Sequence, residues 1–473
     1  MIQRLLRLSI FITLLLQAAP VEKQVQHLED DPLFHAKREV GFSLHDAINR
    51  VIDISPKIKA AREVVIQNKV SKDEAFAGHL PVVNFSGDGG YELRDVKADA
   101  NKNDAPITSH QNYKKVDLYL TITENLWTGG SIQNSVDEKS ASLRGALFDY
   151  QDKIEKLVVE TMTAYFDVVY AEIALKIANK NMKSYEKILK IVDIKEKNGA
   201  ATKGDVNFIK ANVDNARTAL VQKEKILSDA LAKYSYLLQT EDKRELPFEI
   251  SSPLFFADLN TSLEKADKLN AQLQRQKSYI KASQYAFLAT QASFHPKVDF
   301  AINGESRNEY DIGLGKREKL SAILMFNYNL YSGGKDEANA IKVLSKMKEQ
   351  KYLYQDLRRK LIFDIKVLNQ SVSMLSQSLK FTEQEVLSAR KVVNSYWVAF
   401  QHGTQDLQAL QLAQRNLNSA EQNYAQYKKD LLMSNYEFMQ KTGVLLQFLE
   451  VEFKKSADDF DEDYSLMKNY YEL

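Results

Sequence analysis

The groups in this 473-residue chain that could do covalent or metal chemistry are seven histidines and many acid–base neighbours; cysteine is absent. The histidines stand at 27, 35, 45, 79, 110, 295 and 402, and none shares a helix face with acids at metal-ligand spacing. Without cysteine there is no disulfide, no thiol nucleophile, no zinc–thiolate site and no thiol to carry an N-terminal lipid. Gly87 and Gly89-Gly90 fall inside an alternating segment, not in the strand–loop–helix setting of a phosphate-binding loop. No nucleophile elbow occurs. Carboxylate pairs are frequent among 63 Asp+Glu and identify nothing alone. The sequence thus predicts no catalytic residue, no metal site and no cofactor, and the protein is expected not to be an enzyme. With 64 Lys+Arg the net charge is +1 and there is no basic stripe, which argues against nucleic acid as a partner.

The spacing that does carry information belongs to glycine. Leu126-Trp127-Thr128-Gly129-Gly130 returns as Leu330-Tyr331-Ser332-Gly333-Gly334, 204 residues later, and Gly199 returns as Gly403 at the same offset. A duplication of this size makes each half one structural unit. Of the 8 prolines, none lies between Pro106 and Pro247 and none follows Pro296. Because proline breaks helices, long helices can run in these two gaps.

Stepping by 4 and 3 from Leu143 to Val192 meets apolar residues at every position except Thr161, a heptad seam. The same seam, moved by 204, runs from Met347 to Tyr396, interrupted by Lys351, Arg358 and Thr382. An antiparallel coiled coil accounts for one seam. A second stripe, Val159, Phe166, Tyr170, Ile173 and Ile177, predicts that the first long helix touches two neighbours, as in a tube of helices. After Gly199 and Gly403 the seam restarts in returning helices, so each half makes a long helical hairpin turning at Gly199–Gly204 or Gly403–Thr404. A helix over 134–198 would span roughly 95 Å, matching two shorter helices (44–78 and 205–240) of roughly 50 Å each stacked end to end.

Before each long helix lie two alternating segments, expected as strands at about 82–94, 115–126, 297–306 and 319–330. Val83, Phe85, Tyr91 and Leu93 oppose Asn84, Ser86, Asp88 and Glu92, and the later segments alternate likewise. Such alternation over about ten residues suits a transmembrane strand with lipid on one side and water on the other. A small sheet on a soluble core alternates identically. Trp127, Tyr328 and Tyr331 sit where interfacial aromatics belong. Four strands cannot close a barrel, since even small membrane barrels have about eight; several copies would have to share one.

Residues 1–19 read as a secretory signal peptide, with Arg4 and Arg7 before the apolar Leu8–Leu16 stretch, or alternatively as a buried N-terminal helix. The first repeat is expected over 20–240, a linker over 241–262, the second repeat over 263–450 and an acidic tail over 451–473. The polar stretch 95–114 is expected as an exposed loop, with a shorter counterpart at 306–318. The tail, bearing Asp458, Asp459, Asp461, Glu462 and Asp463, is expected to be solvated, with a docking segment as the alternative.

The Leu-Trp-Thr-Gly-Gly and Leu-Tyr-Ser-Gly-Gly junctions, Pro81 and Pro296 before the strands, the opening Phe42-Ser43-Leu44-His45-Asp46-Ala47-Ile48, and the turns Asn198–Val206 and His402-Gly403-Thr404 together resemble the TolC family of outer-membrane efflux and secretion channels, over about residues 40–450. The resemblance implies a mainly α fold with a small β part: a homotrimer with four strands per protomer in one shared transmembrane β-barrel, and long antiparallel helices forming an α-barrel tunnel in the periplasm. It implies outer membrane lipid, a periplasmic adaptor (membrane fusion) protein and an inner-membrane transporter as partners, in an efflux pump or a type I secretion system. The hairpin tips, Gly199, Gly204, Asp205, Gly403, Thr404 and Asp406, would be the docking and gating region; Trp127, Tyr328 and Tyr331 the membrane interface; Gly129, Gly130, Gly333 and Gly334 the strand–helix junctions. Where the resemblance implies acids six and nine residues after the second tip glycine, this chain has Ala409 and Leu412, with Asp406 a turn earlier. A soluble periplasmic coiled-coil scaffold or adaptor is the alternative reading.

Overall fold

The computed structural model describes residues 42–98, 107–240, 258–309, 315–463 and 465; the expected signal peptide and most of the expected linker lie outside them. Two short helices, α1 (Leu44–Ile54) and α2 (Pro56–Phe76), lead through a 3₁₀ turn (Ala77–His79) into strands β1 (Val82–Ala98) and β2 (Ile107–Trp127). The helices α3 (Ser131–Lys197) and α4 (Lys203–Leu238) follow. The second half repeats the order: α5 (Leu259–Leu269), α6 (Ala271–Gln291), a 3₁₀ turn (Ala292–Phe294), β3 (Lys297–Glu309), β4 (Gly315–Asn327), α7 (Lys335–Gln401) and α8 (Leu407–Thr442). A short α9 (Leu445–Phe448) and a 3₁₀ turn (Asp458–Phe460) close the described chain. The duplication holds element for element: α3 and α7 both have 67 residues, and α4 and α8 both have 36. At 1.5 Å per residue each long helix spans about 100 Å.

The chain divides into two compact units, each drawing on both halves. One comprises residues up to 59, 152–270 and 360–452 and holds the helical hairpins. In it α3 is buried on two faces, as its second stripe requires. Tyr165 meets Tyr234 of α4 at 6.2 Å between ring centroids, and Phe166 stacks on Tyr436 of α8 at 6.1 Å. The corresponding part of α7 buries a single face, through Leu361, Ile365, Val372, Val386 and Phe400. The short helices meet end on: Arg50 Nε of α1 donates to the Leu238 carbonyl at the end of α4, and Asn270 Nδ2 donates to the Lys441 carbonyl near the end of α8.

The other unit comprises 60–151, 271–359 and 453 onward and holds the sheet. Its four strands run antiparallel in the order β1-β2-β3-β4.

Four expectations are corrected. The helix expected over 44–78 is broken at Ser55, because the residue before a proline is pushed out of the helical region (φ −62°, ψ 120°); the second repeat breaks at Asn270 without a proline. The expected loops are partly strand: β1 reaches Ala98 and β2 starts at Ile107, because cross-strand backbone pairing continues from Arg94↔Gln111 to Ala98↔Ile107 regardless of polar side chains. β3 likewise reaches Glu309, whereas β4 stops at Asn327, so Tyr328 follows the strand and Tyr331 lies farther on. The linker ends earlier than 262, since Asp258 caps α5 by accepting from Thr261 N. Finally, residues 453–463 of the tail are anchored within the sheet-bearing unit, while Asp458, Asp459, Asp461 and Glu462 stay exposed as expected. Phe460 is fully buried with its ring edge-on to Tyr150, and Asp463 and Asp461 pair with Arg62 and Lys69 of α2. An apolar anchor among the acids outweighs their preference for water.

Candidate functional site

The sheet has two chemically distinct faces because successive side chains alternate. One carries Val83, Phe85, Leu118, Leu120, Leu320, Leu324 and Phe326, all exposed. Bulk alternates with glycine across it, as where Leu120 faces Gly304. The opposite face is ionic. Asp117 is buried at its centre; its carboxylate lies 3.2 Å from Lys115 Nζ and accepts from the Tyr119 hydroxyl at 3.2 Å. Lys115 also reaches Asp88 at 3.3 Å and Glu92 at 3.8 Å, and Arg307 lies 3.9 Å from Asp117 and pairs with Glu305. The face is thus lined by both signs of charge.

At the foot of the sheet the junction glycines Gly129, Gly130, Gly333 and Gly334 all take left-handed φ, between 63° and 85°, which side chains resist. Gly129 is also closely approached: a Cβ there would lie 2.9 Å from the Ala292 carbonyl oxygen, whereas one at Gly333 would meet nothing within 4 Å. Trp127 ends β2, and Trp127, Tyr328 and Tyr331 are all exposed.

In the hairpin-bearing unit the two tips are brought together. The end of α3 is closed by Gly199 (φ 74°), with Ala200 N donating to the Lys195 carbonyl at 2.7 Å; Gly403 (φ 77°) and Thr404 close α7 in the same way. Each returning helix then starts on its own cap. Thr202 and Asp205 form a reciprocal capping box, with Asp205 N donating to Thr202 Oγ1 at 3.1 Å and Thr202 N to Asp205 Oδ2 at 2.9 Å. These bonds hold the Asp205 carboxyl below its ordinary value. Gly204 leaves room for the Thr202 hydroxyl, 3.3 Å from where its Cβ would stand. Asp406 caps α8, accepting from Ala409 N at 2.6 Å. Both acids of the tips are therefore engaged in starting helices. Beneath them Tyr185, Ile188, Val192, Ile209, Val213, Phe400 and Leu410 form one core from both hairpins. Lys195 spans the two tips: its Nζ donates to the Phe400 carbonyl and lies 4.1 Å from the Phe400 ring centroid.

Sequence reading missed Lys195, and it missed a second feature of α8. Gln414, Glu421, Lys428, Asn435 and Thr442 recur every seventh residue beside the apolar seam, and all are buried. Gln414 Nε2 donates to Asn181 Oδ1 at 3.2 Å. Glu421 Oε1 accepts from Lys180 Nζ of α3 at 2.9 Å and from Arg390 Nε of α7 at 3.0 Å. Asp167 of α3 takes Lys429 of α8 at 2.5 Å. The column ties α8 to both long helices through ions. The heptad spacing was the available signal, but it repeats polar residues that a search for apolar seams passes over.

Among the described residues no group of three or more His, Asp or Glu could hold a metal ion, and no helix is long and apolar enough to cross a membrane. An alternating sheet joined in sequence to paired helical hairpins is the architecture of a conduit-type membrane protein. The chain belongs to the outer membrane efflux protein family, whose profile matches residues 47–234 and 262–444, both halves of the duplication. Comparison with curated proteins gives no match. Among solved structures the chain is similar to the Campylobacter jejuni CmeC outer membrane channel (TM-score 0.74, 14% identity, 92% of this chain and 95% of that one). It is similar to a membrane protein from Pseudomonas aeruginosa (TM-score 0.74, 14% identity, 85% and 91%). It is also similar to the open state of the Neisseria gonorrhoeae MtrE outer membrane channel (TM-score 0.71, 13% identity, 85% and 89%). At these identities the likeness establishes the fold, which is the TolC-like one expected from the sequence.

Proposed function

We propose that this protein is the outer-membrane exit duct of a tripartite efflux pump: a passive channel energised by an inner-membrane transporter and opened when a periplasmic adaptor docks. The observation that carries this reading is the four-stranded sheet, apolar on one face and ionic on the other, ending on two open edges and followed in each half by a helical hairpin. Three copies would close the sheet into a barrel. Support for association comes from α7, where Phe363, Met374, Phe381 and Val392 form an exposed apolar stripe on the part lying in the hairpin-bearing unit; spacings of 7 and 11 keep them on one face. Residues 1–19 would be removed on export. The tips at Gly199, Gly204, Asp205, Gly403, Thr404 and Asp406 would receive the adaptor, and Trp127, Tyr328 and Tyr331 would mark the lipid interface.

Expression in a Gram-negative host tests the reading. A heat-modifiable trimer, extracted from the outer membrane only by detergent and conducting ions in planar bilayers, is expected. A water-soluble monomer would support the scaffold alternative and overturn the channel.

A further inference from the structure

The ionic face of the sheet sorts its charges by strand. One row straight across the four strands reads Asp88, Asp117, Arg307 and Arg317. Beside it β1 and β2 carry Glu92 and Lys115, whose Nζ lies 3.2, 3.3 and 3.8 Å from the carboxylates of Asp117, Asp88 and Glu92. On β3 and β4 Lys319 joins the two arginines; Glu305 stands opposite Lys319 and pairs with Arg307. Among the described side chains of this part of the face, one ammonium therefore serves three carboxylates on β1 and β2, and one carboxylate serves three cations on β3 and β4. Lys297 and Asp299 stand apart from both groups, near the foot of β3.

Sheet stability does not account for this order. Like charges directly opposite each other are destabilising, and two of the row's three contacts, Asp88 with Asp117 and Arg307 with Arg317, are of that kind. The order Asp, Arg, Asp, Arg from the same four side chains would make all three contacts attractive. The chain keeps the costlier order on a face where Asp88, Arg317 and Lys319 are exposed, so its use lies with what passes that face.

We propose that the outlet of the duct is walled by alternating acidic and basic patches, β1–β2 acidic and β3–β4 basic, which let cargo of either charge sign travel along the wall and let zwitterionic cargo bridge neighbouring patches. This rests on the shared-barrel reading, in which three copies would set three patches of each sign around the bore. Each patch is two strands or roughly 10 Å wide. Screening at physiological salt acts over about 8 Å, so a solute at the wall feels the nearest patch more than the next one. A bore of one sign would instead enrich one class of ion and repel the other.

Because the chain has no cysteine, one introduced thiol reports the local potential in the full-length protein in its membrane. Ser86 and Lys319 end the same cross-strand row. Ser86→Cys places the probe beside Asp88, and Lys319→Cys places it beside Arg317. Each variant is treated with a cationic (trimethylammonium) and an anionic (sulfonate) ethyl methanethiosulfonate, and labelling is followed by mass. The ratio of the two rates cancels the ionisation of the thiol itself. At low salt the cation-to-anion ratio should be at least about tenfold higher at position 86 than at 319. The difference should shrink in 1 M salt, where screening acts over about 3 Å. Adding Asp88→Asn should lower the ratio at 86, and adding Arg317→Gln should raise it at 319. Equal ratios at the two positions, or ratios indifferent to these neutral partners, would overturn the patches. In planar bilayers under a salt gradient, Asp88→Asn/Glu92→Gln should shift the reversal potential toward anions and Arg317→Gln/Lys319→Gln toward cations. Unmoved potentials would overturn the part the patches play in permeation. A protein that conducts nothing yet keeps unequal thiol ratios would overturn the duct reading and leave the patches standing.

Discussion

The tip glycines are defined by backbone conformation rather than by crowding, since nothing lies within 4 Å of a Cβ built at Gly199 or Gly403. The left-handed φ costs an ordinary residue about 1–2 kcal/mol, and asparagine tolerates it best. Gly199→Val with Gly403→Val is therefore expected to lower efflux, read as drug susceptibility, while leaving trimer yield intact, and the corresponding double asparagine variant should retain efflux. Unchanged efflux in the valine variant would remove the tips from docking. The capping box gives a second prediction. Thr202→Ala should cost about 1 kcal/mol of tip stability, read by amide exchange of the first turn of α4. Because the folded-state pKa of Asp205 is lowered, its contribution is fully present above the ordinary value of 3.8 and is lost as pH falls through the lower folded value. Tip exchange should accelerate only in that acid window.

At the scale of elements, α8 is held by its apolar seam and tied to both long helices by the polar column beside it. Glu421 is buried with two cationic partners, so Glu421→Leu would leave Lys180 and Arg390 without their shared carboxylate. A loss on the order of 3 kcal/mol is expected, visible as a lower melting temperature in detergent, and replacing all three residues with apolar ones should recover most of it. The docked tail behaves as one element through Phe460. Phe460→Ala should cost about 3 kcal/mol locally and expose the segment after Val451 to protease; unchanged protease resistance would show that the ion pairs to Arg62 and Lys69 hold it alone.

For the whole molecule, the two halves are alike in length and order but not in surroundings. Helix α3 buries two faces and α7 one, and Gly129 is enclosed while Gly333 is open. Such asymmetry within a duplicated chain is what incomplete closure of a ring by one copy produces. In the proposed trimer the apolar stripe of α7 and the free edges of β1 and β4 would meet other copies. Shape and charge of the conduit then depend on association, and a protein that failed to oligomerise would lose conduction while keeping each helical hairpin folded.

The sequence by itself determined the duplication, the order of elements and the faces of helices and strands. These depend on period and on glycine and proline, which act locally: the seam from Leu143 to Val192, the alternation from Val83 to Leu93, and the tips at Gly199 and Gly403 were all legible. Strand ends were not, because pairing partners rather than side-chain polarity stop a strand, as β4 and β2 illustrate. Nor was the anchoring of the acidic tail, since Phe460 packs on Tyr150, a residue of α3 far away in sequence. Only tertiary structure decided that Gln414, Glu421 and their heptad companions are buried, because burial of a polar residue depends on an ion or hydrogen-bond partner from a helix distant in sequence. It also decided that Lys195 links the tips. The physical division is between what one segment's periodicity can enforce and what needs a second segment to supply the other half of an interaction.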